Sequence, residues 1–121
     1  MPIDRTLQEW KVLQKRKTAS RRYRAEFGGF TEPNSGLFVR TDGRTRSLLT
    51  AAKLRAQADA AYVVENWKTA NGTFITLDAP TIIALESAVH DFIEAQFAKE
   101  ADLSAQIDSA TTIEEVKAIH W

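Results

Sequence analysis

The chain has 121 residues, the length of one ordinary domain. Apolar residues make up 44% of it and charged residues 26%, which is the composition of a globular protein. Its net charge of zero hides a split: residues 1–61 hold 13 of the 16 basic and 6 of the 16 acidic residues, so they carry +7 and residues 62–121 carry −7. The absence of cysteine excludes disulfides, thiolate metal sites and a cysteine nucleophile. We expect neither a signal peptide nor a membrane segment, because no long apolar run is present.

The first predicted element is a basic helix over residues 5–19, in which Leu7, Trp10 and Leu13 form a short apolar stripe. Such a helix could dock on the domain itself, on a sister chain or on a different protein. Because the stripe is only two or three turns long, we interpret residues 1–20 as a basic helical arm that attaches to a partner. Residues 21–121 are then the α+β domain.

A β-hairpin is predicted next. Residues 23–27 alternate between apolar and charged side chains, which is typical of a half-buried strand. Gly28-Gly29 would end this strand, residues 31–36 read as a turn-rich loop, and residues 37–40 read as the returning strand.

A middle helix and a second hairpin follow. Thr41-Asp42 stands where an N-cap is expected, ahead of a helix over residues 44–60. A strand begins at Tyr62, and Asn71-Gly72 predicts a two-residue type I′ turn, because both residues tolerate positive φ. That turn would pair Lys68 with Ile75 and Thr69 with Phe74. The alternation is imperfect, so it does not show which face of the hairpin is buried.

The longest predicted element is a helix that Asp78 caps and that reaches to about Ser109, roughly 45 Å at 1.5 Å per residue. A domain of this size has a radius of gyration of about 14 Å. We therefore expect part of the apolar stripe to need a partner. Thr112 and Glu115 predict a capping box for a short closing helix.

These elements predict an α+β fold. Two β-hairpins form a small antiparallel sheet, which the middle helix and the long C-terminal helix cover, and the N-terminal basic helix is added to it. The charge split favours attraction between the two halves of a chain, or between neighbouring copies. Nucleic-acid binding is an alternative that we expect less, with phosphates contacting the basic residues of the N-terminal half.

No residue set predicts a catalytic centre, a cofactor site or a metal site. His90 and Glu94 lie four residues apart on the long helix, but a zinc site needs about three protein ligands. His120 has no nucleophile and no orienting group beside it in the sequence. We therefore expect a non-enzymatic protein without a cofactor.

The predicted partner-binding residues are apolar or basic side chains on the N-terminal helix, the long helix and the C-terminus. Protein interfaces favour aromatic and arginine anchors, which singles out the two tryptophans near the chain ends. The set is Leu7, Trp10, Leu13, Arg16, Phe97, Leu103, Ile107 and Trp121.

Residues 21–121 resemble a small domain of unknown function found in bacteriophage tail and tail-fibre-associated proteins. The resemblance lies in Glu26-Phe27-Gly28-Gly29-Phe30, in Val39-Arg40-Thr41-Asp42 with Leu48-Leu49 and Ala51-Ala52, and in Trp67-Lys68, Asn71-Gly72, Phe74-Ile75-Thr76-Leu77 and Phe97-Ala98-Lys99-Glu100.

This resemblance implies a tail, baseplate or fibre component that acts through contacts with other tail proteins, as a homo- or hetero-oligomer. The expected location is the tail of the virion after synthesis in the host cytoplasm, with no membrane partner. The alternative is a tail-fibre assembly chaperone that is absent from the mature virion. The resemblance brings no catalytic residues.

Overall fold

The computed structural model describes residues 4–121, which form an α+β fold of four helices and two hairpins, as the sequence predicts. In chain order the elements are α1 (Leu7–Phe27), β1 (Phe30–Thr31), β2 (Phe38–Val39), α2 (Gly43–Ala58), β3 (Val63–Lys68), β4 (Phe74–Asp78), α3 (Ala79–Ser109) and α4 (Ile113–Ala118). The end of α3 lies at the predicted residue.

The described chain divides into two compact units, each with its own apolar core. The hairpin unit comprises residues 26–93, and the terminal unit comprises residues 4–25 and 94–121. The predicted boundary between residues 20 and 21 therefore lies within the continuous helix α1. Residues 1–3 of the predicted arm lie outside the described residues.

The strand predicted over residues 23–27 is wrong, because α1 continues through this segment to Phe27. Arginine, alanine and glutamate are good helix formers, and no glycine interrupts the chain before residue 28. The buried positions of α1 include the polar residues Gln14, Thr18 and Glu26. This helix therefore lacks the apolar periodicity on which its prediction depended.

The two hairpins form two separate two-stranded antiparallel sheets instead of the single predicted sheet. In the first, Phe30 pairs with Val39 and Thr31 pairs with Phe38, so its leading strand begins seven residues after the predicted start at Tyr23. Within residues 4–121 no strand of one hairpin pairs with a strand of the other.

The core of the hairpin unit lies between α2, the second hairpin and the first part of α3. Leu49 of α2, Leu77 of β4 and Ile82 of α3 are almost completely buried in it. Phe30 stacks on Phe92 with their ring centroids 4.6 Å apart. The predicted covering of the hairpins by the middle helix and the long helix is thus present in this unit.

A β-bulge explains the imperfect alternation of the second hairpin. Val64 pairs with Leu77 and Trp67 pairs with Ile75, so two residues of β3 stand opposite one of β4. The extra residue returns Trp67 to the face of Val64, although the two are three residues apart. Both side chains pack against the core of the hairpin unit.

The turn of the second hairpin is longer than the predicted type I′ turn. Lys68 pairs with Phe74, one residue out of the predicted register. The N–H of Gly72 donates to the carbonyl of Thr69 at 3.0 Å, and Gly72 has φ +88°. Among residues 4–121 only glycines have positive φ, so Asn71 lacks the conformation that a type I′ turn requires. A three-residue loop that ends on a left-handed glycine fits these bonds.

Three predicted helix caps are present. The backbone N–H of Thr45 donates to Asp42 at 2.7 Å, and that of Thr81 donates to Asp78 at 2.9 Å. At α4 the N–H of Glu115 donates to the hydroxyl of Thr112 at 3.2 Å. The carboxylate of Glu115 accepts from the N–H of the preceding Thr111, instead of completing the predicted box with Thr112.

A buried polar cluster joins the end of α1 to the start of α2. The hydroxyl of Thr41 donates to the carbonyl of Glu26 at 2.5 Å and accepts from the N–H of Gly29 at 2.9 Å. The guanidinium of Arg46 donates to the Glu26 carboxylate and to the Thr41 carbonyl, both at 2.8 Å. It also lies 4.8 Å from the ring centroid of Phe27. Each polar group of this cluster therefore has a partner.

The terminal unit has a smaller core, formed by Ile107, Ala110 and Val116 with Leu7, Trp10 and Ile119 packed against them. Gln14 supports it by donating its side-chain amide to the carbonyl of Ile119 at 2.8 Å. The long stripe of α3 is thus partly covered within the chain, because α1 and α4 residues pack on it.

Ion pairs within each unit join the basic and acidic halves of the sequence. Lys15 pairs with Asp108, and Arg22 pairs with Glu100 at 2.7 Å, both in the terminal unit. Lys53 pairs with Glu86 at 2.8 Å in the hairpin unit. These pairs are one physical reason for the charge split.

We predict that Gly29→Ala destabilises the protein more than Gly36→Ala. Both glycines have positive φ, which costs alanine about 1–2 kcal/mol. A Cβ on Gly29 would lie 2.6 Å from the Phe38 ring and 2.8 Å from the backbone oxygen of Val39, whereas one on Gly36 would meet no atom within 4 Å. The overlap should add about 1–3 kcal/mol, measured by urea unfolding. Equal losses would contradict the close approach of Gly29 to Phe38 and Val39 of β2.

We also predict that acid destabilises the hairpin unit. Hydrogen bonds from Ser35 and Asn34 lower the pKa of Glu32, and those from Thr45 and Thr81 lower the pKa of Asp42 and Asp78. Because the folded-state pKa of each carboxyl is lowered, its ionised form stabilises the fold at pH values above the unfolded-state pKa, about 4. This stabilisation is lost as the pH falls through the folded-state pKa. The melting temperature should fall from pH 5 to pH 2. Asp42→Asn, which keeps a good cap, should reduce that fall; an identical pH profile would refute the role of Asp42.

Candidate functional site

A groove of about 820 Å³ lies in the hairpin unit between α2, β3 and the turn of the second hairpin. Its volume is within the range of ligand-binding pockets in proteins, about 300–1,000 Å³. Two other cavities of the described residues are far smaller, about 40 and 90 Å³, and could hold only a few water molecules. The groove is therefore the candidate functional site.

One face of α2 forms a wall of the groove. Leu48, Ala51, Ala52 and Arg55 recur at helical spacing along it, and Arg44 lies one turn before Leu48. Leu48 is 49% exposed although it is a large apolar residue. The core face of the same helix is different, since its buried residues are Leu49, Ala52 and Ala56.

Sequence reasoning missed this site because it predicts α2 as a helix without dividing its apolar residues between two faces. The signal that could have found it is two overlapping apolar stripes on α2, one at residues 48, 51 and 52 and the other at residues 49, 52 and 56. A helix with one buried face needs only one such stripe.

The opposite wall comes from β3, where the bulge places Val64 and Trp67 on the same face of the strand. Val64 and Trp67 line the groove while they also pack against the core. Trp67 is thus half-buried and shared between core and groove. Tyr62, just before β3, adds a second aromatic residue to the lining.

Positive charge surrounds the groove. Four cations line it, Arg40, Arg44, Arg55 and Lys68, and Asp42 is the one acidic residue among its described lining residues. The hydrogen bond from the backbone N–H of Thr45 lowers the pKa of Asp42, and the positive charge of Arg40 and a backbone hydrogen bond from Arg44 lower it further. Because the Asp42 carboxylate caps α2, the lining has a net charge of +3 at neutral pH, which favours an anionic ligand.

The turn at the end of the groove is held by its own side chains. The side-chain oxygen of Asn71 accepts from the N–H of Thr73 at 3.1 Å and from the hydroxyls of Thr69 and Thr73. The backbone N–H of Thr69 donates to the carbonyl of Thr73 at 2.7 Å. These bonds fix the loop independently of any ligand.

The predicted partner-binding residues all lie in the terminal unit, and the structure uses several of them internally. Ile107 is fully buried, so it cannot contact a partner, and this prediction is corrected. Leu7 and Trp10 pack against the Ile107 core, and the Trp10 ring centroid lies 4.5 Å from the Lys117 ammonium. The N-terminal helix is therefore part of a core instead of a separate arm.

The other predicted residues vary in exposure. Phe97 is 46% exposed, with the Arg22 guanidinium 4.3 Å from its ring centroid. Trp121 is half-buried, and the Lys99 ammonium lies 4.3 Å from its ring. Leu13, Leu103 and Arg16 complete the set, the two leucines half-buried and the arginine exposed.

Nucleic-acid binding by α1 stays a prediction. Its exposed basic residues include Arg16, Lys17, Arg21 and Arg24. Lys15 and Arg22 pair with carboxylates of the same unit, which reduces the charge that phosphates could meet.

No group of three or more metal-ligating side chains occurs among residues 4–121. His90 and Glu94, the nearest approach to a ligand pair in the sequence, each have an interaction within the chain. In this part of the chain there is also no helix of sufficient length and apolarity to cross a membrane.

Comparison with known proteins assigns a family. The family model described as "Domain of unknown function (DUF4376)" matches residues 9–120, so the chain belongs to this family. The match includes residues 9–20 of α1, which lie outside the resemblance drawn from sequence motifs. Searches of the curated proteins and of the solved structures give no match.

We predict that Trp10→Ala destabilises the protein by about 1–3 kcal/mol, less than the 3–5 kcal/mol of a fully buried tryptophan because Trp10 is half-buried. The exposed Arg16→Ala on the same helix is the control and should change stability by about 0.5 kcal/mol or less. Deleting residues 1–19 should unfold the terminal unit. A melting temperature unchanged by Trp10→Ala would restore the interpretation of this helix as a detachable arm.

Proposed function

We propose that this protein is a non-enzymatic component of a bacteriophage tail, baseplate or fibre, and that it acts by binding another tail protein. The tail setting comes from the resemblance of residues 21–121 to a domain of phage tail and tail-fibre-associated proteins. The family's description adds no activity to it. The virion tail is the corresponding location.

The observation that carries a binding role is the groove of the hairpin unit. Leu48 and the neighbouring Ala51 expose apolar surface along α2 beside Trp67 of β3. Contiguous exposed apolar surface with a polar rim is typical of protein interaction sites. Exposed cations at the rim add specificity for the partner, because charges select among partners more than they add affinity.

Other exposed apolar side chains of the hairpin unit extend this argument. Phe74 is 61% exposed near the turn of the second hairpin, and Phe38 is 48% exposed in the first. Aromatic residues are enriched among interface residues that dominate binding energy. A docking protein would use such residues, whereas a monomeric protein would gain stability from burying them.

The proposal has a direct test in particles of the phage that encodes the chain. Mass spectrometry of purified particles should find the protein in a fixed ratio to a tail protein. An assembly chaperone, the alternative, would be absent from particles but would co-purify with a fibre protein from infected cells. Absence from particles together with absence from every complex of tail proteins would refute both forms of the proposal.

Two leucines of α2 provide a matched pair of variants for the docking surface. Leu48 lines the groove, whereas Leu54 is 64% exposed and does not. Leu48→Gln should weaken co-purification with the tail partner about tenfold, the effect of losing one moderate interface contact, and Leu54→Gln should leave it unchanged. An equal effect of the two changes would place the docking surface elsewhere.

A further inference from the structure

We infer that the groove binds an acidic polypeptide segment in which an apolar side chain is flanked by carboxylates. This inference deepens the proposed function, since it rests on the groove being the docking site. It commits to the chemistry of the partner segment, which the proposed function leaves open.

The charge around the groove is the first argument. Arg40, Arg44, Arg55 and Lys68 surround it, and no carboxylate among residues 4–121 forms an ion pair with the three arginines. The acidic lining residue, Asp42, is committed to the N–H of Thr45. The lining keeps a net positive charge after Asp42 is counted, and that excess favours a partner that supplies carboxylates.

The order of side chains along α2 is the second argument. Arg44 and Arg55 stand at the two ends of the groove stripe, with Leu48, Ala51 and Ala52 between them. This places apolar surface in the middle and a guanidinium at each end. A complementary segment has the same order, with a carboxylate, an apolar side chain and a second carboxylate.

The spacing of the two arginines sets the spacing in the segment. They are eleven residues apart in α2, about 17 Å at 1.5 Å per residue. An extended segment covers that distance in about five residues at about 3.3 Å each. The partner's carboxylates are therefore expected about five residues apart, with the apolar side chain between them.

A polypeptide fits the groove better than the two other candidates. Single-stranded nucleic acid is bound by stacking bases on aromatic side chains. The two aromatic residues that line the groove, Tyr62 and Trp67, are half-buried against the core, whereas the exposed wall of α2 is aliphatic. In a second copy of the chain, Glu86, Glu100 and Asp108 each pair with a cation of their own chain, so these three carboxylates are not available to the groove.

The test is a selection of random 12-residue peptides, displayed on filamentous phage, against the immobilised full-length chain. Peptides that bind Leu48→Gln equally well are removed, and Leu54→Gln serves as the matched control. Enriched peptides should carry net negative charge, with an apolar residue between two acidic residues. A synthetic peptide of the enriched sequence should bind at least about tenfold more weakly to Leu48→Gln than to the unaltered chain or Leu54→Gln.

Charge reversal provides the second arm. Arg44→Glu with Arg55→Glu should weaken binding of that peptide by about tenfold or more and should shift the selection towards basic peptides. Lys17→Glu with Arg21→Glu, at two exposed positions of α1, is the control. This control should change neither the affinity for the peptide nor the character of the selected peptides. Affinity for the unaltered chain should also fall as salt rises from 50 to 500 mM, because exposed charges are screened. Melting curves confirm that each variant is folded.

The outcomes separate the inference from the function on which it rests. Groove-dependent peptides without acidic character would overturn the charge inference and leave the docking site intact. Failure to enrich any peptide that depends on Leu48 would overturn both. Two results would overturn the inference of an acidic peptide. A thymidine oligonucleotide that binds tightly and competes with the peptide would indicate nucleic acid, and self-association that Leu48→Gln abolishes would indicate a second copy of the chain.

Discussion

Arg46 of α2 holds the buried carboxylate of Glu26, the penultimate residue of α1, and the position of the groove depends on this ion pair. The same guanidinium donates to the carbonyl of Thr41, and the Thr41 hydroxyl bonds Glu26 and Gly29. These bonds fix both ends of the first hairpin and the first turn of α2. Removing one partner of a buried pair leaves an uncompensated charge, which typically costs about 3–5 kcal/mol. A substitution in this cluster would therefore alter the geometry of the groove, although none of the cluster's hydrogen-bonding side chains lines the groove.

Local signals in the sequence predict the ends of several elements well. Asp42, Asp78 and Thr112 cap their helices as expected, because a cap depends on a side chain and a backbone N–H only two or three residues away. The end of α3 at Ser109 follows from a continuous apolar stripe. In each case the information lies within a few turns of chain.

Features that depend on distant contacts, such as the continuation of α1 to Phe27, could not be predicted in this way. The buried face of α1 contains Gln14, Thr18 and Glu26, whose polar groups are satisfied by Ile119, by the helix backbone and by Arg46. Apolar periodicity cannot detect a buried polar face. The same holds for the bulge of β3, since its extra residue is visible only once Val64 and Trp67 are paired with β4.

The groove is predictable only in part for a related reason: α2 uses two neighbouring faces. Leu49 and Ala56 bury one face in the core, while Leu48 and Arg55 present the other to the groove. Core packing and the Asp42 cap hold α2 in place, so this wall of the groove is already ordered before a partner binds. A partner segment then pays mainly its own ordering entropy, and side-chain immobilisation costs about 0.5–1.5 kcal/mol for each flexible residue. A short segment with one apolar anchor and two carboxylates can therefore bind usefully here, because few of its side chains have to be fixed.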